Sequence, residues 1–196
     1  MTTDTQETAQ ETVTIRNGID VDQLLGTIEH VSEDPNAGSF TFKASSSWKD
    51  GTHNVGEIGR FVHAGQEDES RDEPFRLEGD EPPVLLGNNI GPNAVELVLQ
   101  ALGFCYAVGY VANAAAKGIE ISSMDYEIEG DIDLGNFLGL DGPRPGFTGI
   151  RVKSRISSPN ATEEQLTELC QYVQETSPVR DTLANPVPVT TSLEVV

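Results

Sequence analysis

The sequence predicts an α+β fold in one domain, and two kinds of pattern support this prediction. Apolar and polar residues alternate over residues 39–62, 124–134 and 150–156, as in half-buried strands. Apolar residues follow helical spacing over residues 93–117 and 161–176. The order of these patterns is strands, helix, strands, helix and a last strand, which is typical of an α+β domain.

The N-terminal region predicts a tail followed by a short helix. Residues 1–11 are polar and have no periodicity, residues 17–31 form an amphipathic pattern, and Pro35 with Gly38 breaks it. We therefore divide the chain into a tail with a short helix (1–38) and one domain (39–196).

The domain is expected to begin with antiparallel strands. Residues 39–48 form the first, Lys49-Asp50-Gly51 is a hairpin turn, and residues 53–62 form the second. An acidic loop at 66–73 and a third strand at 74–78 follow.

The segment 93–117 predicts a central helix that ends at Gly118. Nearly every side of it is apolar or small, which is typical of a buried helix. The acidic strand 124–134 and the basic strand 150–156 are expected to pair, because facing opposite charges are mildly stabilising. A helix over 161–176, a short turn at 178–184 and a last strand at 187–195 complete the prediction.

The composition excludes several partners. The 196 residues include 32 Asp and Glu against 12 Lys and Arg, a net charge of −20. Such a surface repels nucleic acid and anionic membranes, so we expect neither as a partner. The charge is compatible with ordinary solubility or with a salt-adapted cytosol, and the sequence leaves both open. The length allows one sizeable core, or a smaller one shared with a second subunit.

The sequence predicts a cytoplasmic protein. No segment reaches the roughly 18 consecutive apolar residues of a membrane span. The N-terminus is polar and acidic, unlike a signal peptide, and the two cysteines lie too far apart in sequence to suggest a disulfide scaffold.

Cys105 is the main candidate for chemistry. A peroxidatic cysteine must be a thiolate to attack a peroxide oxygen, but a free cysteine is also a common small buried hydrophobe. Its neighbours within the predicted helix supply no cation, so an arginine or histidine would have to come from elsewhere in the fold.

Glu96 has a structural and a functional interpretation. Asn93 followed by Glu96 is a capping-box pattern. Cys105 follows Glu96 by nine residues, which is roughly 13–14 Å of helical rise with the side chains on opposite faces. If Glu96 assists a thiol, that thiol belongs to a second subunit, which implies a dimer.

Other polar residues suggest no cofactor. Cys170 lies on the apolar face of its predicted helix, where a core role is favoured, and Ser177 with Pro178 predicts a helix start. The three histidines have no metal-ligand spacing, and no phosphate-binding loop is present. We expect neither a metal nor an organic cofactor.

Five motifs in order resemble the OsmC-like family, which includes osmotically induced protein C and the organic hydroperoxide resistance proteins. They are WKDGTH (48–53), GPNAVEL (91–97) leading to Cys105, AAAKGIE (114–120), EGDIDL (129–134) and SPV (177–179) with NPVPV (185–189). The resemblance implies antiparallel sheets around a buried central helix in an intertwined homodimer with active sites at the interface. It also implies reduction of hydroperoxides, preferably organic ones, by thiols without metal or flavin.

The same resemblance assigns roles to individual residues, and it shows one position at which this chain differs from the family's peroxidases. Cys105 matches the attacking cysteine, and Glu96 matches the carboxylate that holds an activating arginine. Arg60 and Arg76 are both candidates for that arginine, with His53 as a weaker aid. The family's peroxidases carry a resolving cysteine where this chain has Ser177. Cys170 lies seven residues earlier, about 10 Å along a helix, which is too far for a simple replacement.

Two functions follow from these residues. The first is an OsmC-like thiol peroxidase with Cys105 as its single attacking cysteine and an external thiol as reductant. The second is a non-catalytic protein of the same fold that binds a small apolar ligand at the dimer interface. The missing cysteine before Pro178 and the lack of an assigned arginine favour the second.

Overall fold

The computed structural model describes residues 13–196 and confirms the α+β class. Four helices and ten strands, with short 3₁₀ turns between some of them, make up this part of the chain. The strands are β1 (Ile15–Arg16), β2 (Ile19–Asp20), β3 (Phe40–Thr41), β4 (Ser45–Asp50), β5 (His53–Ile58), β6 (Val62–His63), β7 (Gln66–Glu67), β8 (Phe75–Gly79), β9 (Ser123–Asp131) and β10 (Gly149–Ser157). The helices are α1 (Val21–Glu33), α2 (Ala94–Ala116), α3 (Glu163–Thr176) and α4 (Pro178–Ala184).

The N-terminal half of the domain forms two small antiparallel sheets with strand orders β3-β6-β7 and β4-β5-β8. The predicted hairpin turn joins β4 to β5, with Gly51 at a φ of +53° and Trp48 Nε1 donating to its carbonyl at 3.0 Å. Glycine adopts this left-handed conformation at little cost. Every residue of β4 is exposed, so these sheets bury little apolar surface within one chain.

The helix α2 is the centre of the C-terminal half, as predicted. The capping box at Asn93 starts it, and Gly118, at a φ of +75°, follows its end. Its buried face packs on the half-buried residues of β9 and β10 and on α3, around a core of Leu102, Tyr106, Tyr110, Ala114, Ile119, Leu169 and Val173.

Burial of α2 is one-sided, which corrects the expectation of a helix buried all round. Phe104 and Val108 are 66% and 70% exposed, and Ala101 is exposed on the same face. The apolar composition of this helix is therefore larger than one chain can cover.

The acidic and basic strands pair as predicted. β9 and β10 form an antiparallel hairpin in which Arg151 faces Glu129 and Lys153 faces Glu127. Arg151 also pairs with Asp131, which lies diagonally across the hairpin. All these side chains are exposed, so the ion pairs add little stability.

The N-terminal hairpin is fastened to the C-terminal half by long-range hydrogen bonds. Asn17, at a φ of +52°, donates from Nδ2 to the Ile119 carbonyl and accepts the Ile121 amide, both at 2.9 Å. Arg16 Nη1 donates to the Ala115 carbonyl at 2.9 Å. Residues 15–20 thus pack against the end of α2, although the division at residue 38 stays a prediction.

Asp80 connects the β4-β5-β8 sheet to the segment that leads into α2. It is 3% exposed and accepts the Thr52 hydroxyl at 2.5 Å. Backbone amides of Glu81, Asn88 and Ile90 complete its shell at 2.8 to 3.2 Å. The hydrogen bond from Thr52, supported by these amides, holds the pKa of Asp80 well below its ordinary value.

The structure corrects three predicted elements. Residues 187–195 contain no strand, because no other strand of the described chain supplies hydrogen bonds to them. Residues 178–184 form the helix α4 rather than a turn, since Ser177 caps it and Pro178 occupies its first position. The first helix begins at Val21 instead of residue 17, because residues 15–20 form the β1-β2 hairpin.

By length and composition, α2 is apolar enough to cross a membrane, which differs from the expectation that no segment would be. The core helix of a soluble protein meets the same criterion. Tyr106 and Tyr110 pack α2 into the core of this domain.

Candidate functional site

Cys105 lies in the middle of α2 and contacts Ser177, the residue between α3 and α4. The Cys105 Sγ and Ser177 Oγ atoms are 3.1 Å apart, within hydrogen-bond distance for sulfur. The cysteine is half-buried, whereas Ser177 is 5% exposed. These two residues are 72 positions apart in sequence, and the packing of α2 against α3 and α4 brings them together.

The cap of α4 orients Ser177. Its Oγ accepts the backbone amide of Arg180 at 3.2 Å, which satisfies one amide of the first helical turn. The sequence predicts this cap but not the contact with Cys105. The only sequence signal for the contact is the resemblance, which places a second cysteine at position 177.

A cavity of about 650 Å³ lies between α2, α4 and the segment 144–150, and neither Cys105 nor Ser177 lines it. Leu102 and Tyr106, which lie within one helical turn of Cys105, line it together with Arg180. Burial raises the pKa of the Tyr106 phenol, so this residue stays neutral at physiological pH. Apolar side chains, a neutral hydroxyl and the two arginines Arg144 and Arg180 in the lining suit a guest that has both an apolar and a polar part.

Cys170 occupies a separate place on α3. Its Sγ accepts a hydrogen bond from Gln174 Nε2 at 3.3 Å, and it packs against the core that contains Tyr110. Both cysteines are free thiols. This placement agrees with the predicted core role.

Glu96 caps its own helix. Its Oε2 accepts the Asn93 amide, and the Asn93 side chain accepts the Glu96 amide, both at 2.9 Å. Glu96 and Cys105 share one regular helix, so helical rise separates them by roughly 13–14 Å. Within one chain, the predicted carboxylate and thiol are therefore not in contact.

The predicted activating groups belong to the N-terminal sheets and pair there with carboxylates. Arg76 Nη2 is 3.3 Å from one oxygen of Glu78, and His53 Nε2 is 2.7 Å from the other. His53, followed by Arg76, lowers the pKa of Glu78. Arg60 lies 3.7 Å from Glu67 and 3.6 Å from Glu69. Their assignment to Cys105 stays a prediction.

Within residues 13–196, no group of three or more His, Cys, Asp or Glu side chains is placed to hold a metal ion. The chemistry available at this site is that of a thiol beside a buried hydroxyl, near a cavity with a mixed polar and apolar lining.

Comparison with known proteins identifies the family. The family model described as OsmC-like protein matches residues 87–192, which is more than half of the chain. The chain belongs to the OsmC-like family. The match includes α2, both strands of the β9-β10 hairpin, α3, α4 and the Cys105–Ser177 pair.

Solved structures of OsmC-like proteins share the fold. An OsmC-like protein from Mycoplasma pneumoniae is 18% identical with a TM-score of 0.55, over 74% of this chain and 89% of that one. An organic hydroperoxide resistance protein OsmC from Legionella pneumophila is 16% identical with a TM-score of 0.53, over 73% and 88%. An OsmC-like protein of unknown function from Vibrio cholerae is 10% identical with a TM-score of 0.52, over 72% and 92%. No curated protein matches this chain.

Proposed function

We propose that this OsmC-like protein reduces hydroperoxides, preferably organic ones, with Cys105 as its single attacking cysteine. The observation that carries the proposal is the contact between Cys105 and the buried hydroxyl of Ser177, near a cavity whose wall combines apolar side chains with Arg144 and Arg180. An organic hydroperoxide joins an apolar body to a polar O–O group, and the site offers a surface for each part. The Legionella relative is named an organic hydroperoxide resistance protein, which supports the same reaction class.

The reaction uses a thiolate and an external thiol. The Cys105 sulfur attacks one peroxide oxygen, an S–O bond forms, and the O–O bond breaks with its electron pair on the departing alkoxide, which takes up a proton. The product is a sulfenic acid. A reductant thiol then displaces water to form a mixed disulfide, and a second thiol releases Cys105. No metal or organic cofactor enters these steps.

We propose that the active unit is a homodimer. Ala101, Phe104 and Val108 form an exposed apolar stripe on α2. In the β4-β5-β8 sheet, Trp48 and Phe75 are also exposed. A second copy would cover both surfaces. It would also bring Glu96 and one of the candidate cations (Arg60, Arg76 or His53) towards the partner's Cys105.

A rival proposal is a non-catalytic protein that binds a small apolar ligand at the dimer interface. Two observations favour it: Ser177 cannot form a disulfide, and the candidate cations pair with carboxylates of their own sheets. We also propose that the protein is cytoplasmic under either function.

Cumene hydroperoxide separates the two functions. Reduced protein is mixed with the peroxide, quenched at intervals and analysed by mass spectrometry for oxidation of each cysteine. We expect Cys105 to oxidise much faster than free cysteine, while Cys170 in the same molecule serves as the matched control. Oxidation of Cys105 at the rate of free cysteine would overturn the enzyme proposal.

Two variants refine this experiment. Cys105→Ser should abolish the fast phase and leave Cys170 unchanged. Glu96→Gln keeps a capping-box residue at this position, so a slower Cys105 reaction would reveal a role beyond capping. A disulfide between Cys105 and Cys170 in the peroxide-treated protein would contradict the core role of Cys170.

A further inference from the structure

The buried serine at position 177 makes the contact with the candidate nucleophile. Within the described residues, Ser177 is the side chain that hydrogen-bonds the Cys105 sulfur, at 3.1 Å. Arg60, Arg76 and His53 are bound to carboxylates elsewhere in the chain. Among residues 13–196, the hydrogen bond to the sulfur therefore comes from Ser177.

The direction of this hydrogen bond depends on the charge of the Cys105 sulfur. A hydroxyl has one proton and two lone pairs. The Arg180 amide, 3.2 Å away, occupies one lone pair of Ser177 Oγ. The proton remains free for Cys105, and a thiolate can only accept. The bond is therefore strongest when the sulfur is charged, because charge-assisted hydrogen bonds exceed neutral ones.

We propose that Ser177 is the hydrogen-bond donor that stabilises the Cys105 thiolate, in the place where the family's peroxidases carry a second cysteine. The inference rests on the proposed function for its biological meaning, but the contact itself does not depend on peroxide. Because a hydroxyl cannot attack a sulfenic acid to form a disulfide, the oxidised Cys105 waits for an external thiol. Ser177 thus stabilises the nucleophile but cannot form the disulfide that a cysteine at this position would form.

The test is the pH profile of Cys105 alkylation. Iodoacetamide reacts with thiolates, and mass spectrometry reports each cysteine separately in wild type, Ser177→Ala and Ser177→Thr. We expect the midpoint for Cys105 to rise by about one pH unit in Ser177→Ala, since a hydrogen bond to a charged group is lost. Threonine keeps both the hydroxyl and the helix cap, so it should restore the wild-type midpoint.

Two comparisons make the result decisive. The Cys170 profile should be the same in all three proteins, and circular dichroism should show an intact fold. A Ser177→Ala midpoint equal to that of wild type in a folded protein would overturn the proposal. Because alkylation needs no peroxide, a shifted midpoint in a protein inert to cumene hydroperoxide would reject the proposed function and leave this inference standing.

A third variant tests whether a cysteine at position 177 forms the disulfide that serine cannot form. Ser177→Cys places a thiol where the hydroxyl now lies 3.1 Å from Cys105 Sγ. We expect peroxide to produce a disulfide between Cys105 and the introduced cysteine, whereas wild type under the same conditions accumulates sulfenic acid that a dimedone probe traps. Absence of the disulfide in a variant whose Cys105 does oxidise would contradict the juxtaposition.

Discussion

The two halves of the domain differ in how completely one chain can pack them. In the C-terminal half, Leu169 is fully buried and Val173 nearly so, against the tyrosines of α2. In the N-terminal half, every residue of β4 is exposed and Trp48 is 67% exposed. The comparison shows that the C-terminal half has its own core, whereas in the described residues the N-terminal sheets leave much of their surface exposed.

The hydrogen bonds of Asp80 join the unequal halves. This carboxylate accepts hydrogen bonds from Thr52 in the β4-β5 turn and from three amides in the segment that leads to α2. One buried charge thus connects the N-terminal sheet to that segment.

The largest effect should come from the C-terminal core. Leu169→Ala opens a cavity at a position with no solvent exposure and should cost about 2–5 kcal/mol of unfolding free energy. Leu138→Ala, in an exposed loop, should change it by no more than about 0.5 kcal/mol. Urea unfolding measures both. Equal losses would show that the C-terminal core is not the main source of stability.

The stability that Asp80 contributes by connecting the two halves should depend on pH. The pKa of Asp80 is held below its ordinary value, so its ionised form stabilises the fold. This contribution is complete above a pH of about 4, near the value for an unfolded chain, and is lost as the pH falls further. Asp80→Ala should therefore lower the urea midpoint at pH 7 and differ less from wild type at pH 3.

A control variant tests whether the effect is specific to the carboxylate of Asp80. Asp125→Ala removes an exposed carboxylate that makes no hydrogen bond among the described residues, so its urea midpoint should stay close to wild type at both pH values. An Asp80→Ala deficit that persists unchanged at pH 3 would contradict the electrostatic explanation.

Association of two copies should cover the N-terminal sheet. Trp48 is the single tryptophan, so its fluorescence reports directly on that surface. Emission should shift to longer wavelength on dilution, as the subunits separate. Trp48→Ala should weaken association by about 2 kcal/mol, or about 30-fold in Kd, as for a buried interface aromatic. Sedimentation equilibrium measures this, and an unchanged Kd would place the interface elsewhere.

The smallest effect should come from the charges on the β9-β10 hairpin. Arg151→Gln removes ion pairs with Glu129 and Asp131, all of which are exposed. Such pairs contribute little in water, so Tm should fall by no more than about 2 °C. Added salt should reduce even this difference between variant and wild type. A larger loss, measured by calorimetry, would mean that the hairpin is buried in the assembled protein.

Local patterns predicted much of the fold. The start and end of α2, the turn at Gly51 and the pairing of the acidic with the basic strand all follow from neighbouring residues or from facing charges. The prediction of a strand at 187–195 was wrong, because a local pattern alone does not form a strand. Its alternation is local, but a strand exists only where a partner supplies hydrogen bonds.

The sequence by itself determined the α+β class, the central helix with its cap at Asn93, and the choice of Cys105 as the residue to test. Those features depend on residues a few positions apart. Only the tertiary structure decided that Ser177 contacts Cys105 and that Asp80 connects the sheet to the segment before α2. These contacts depend on how separate elements pack. Cys105 and Ser177 are 72 positions apart, so the sequence pattern near either residue does not indicate the other.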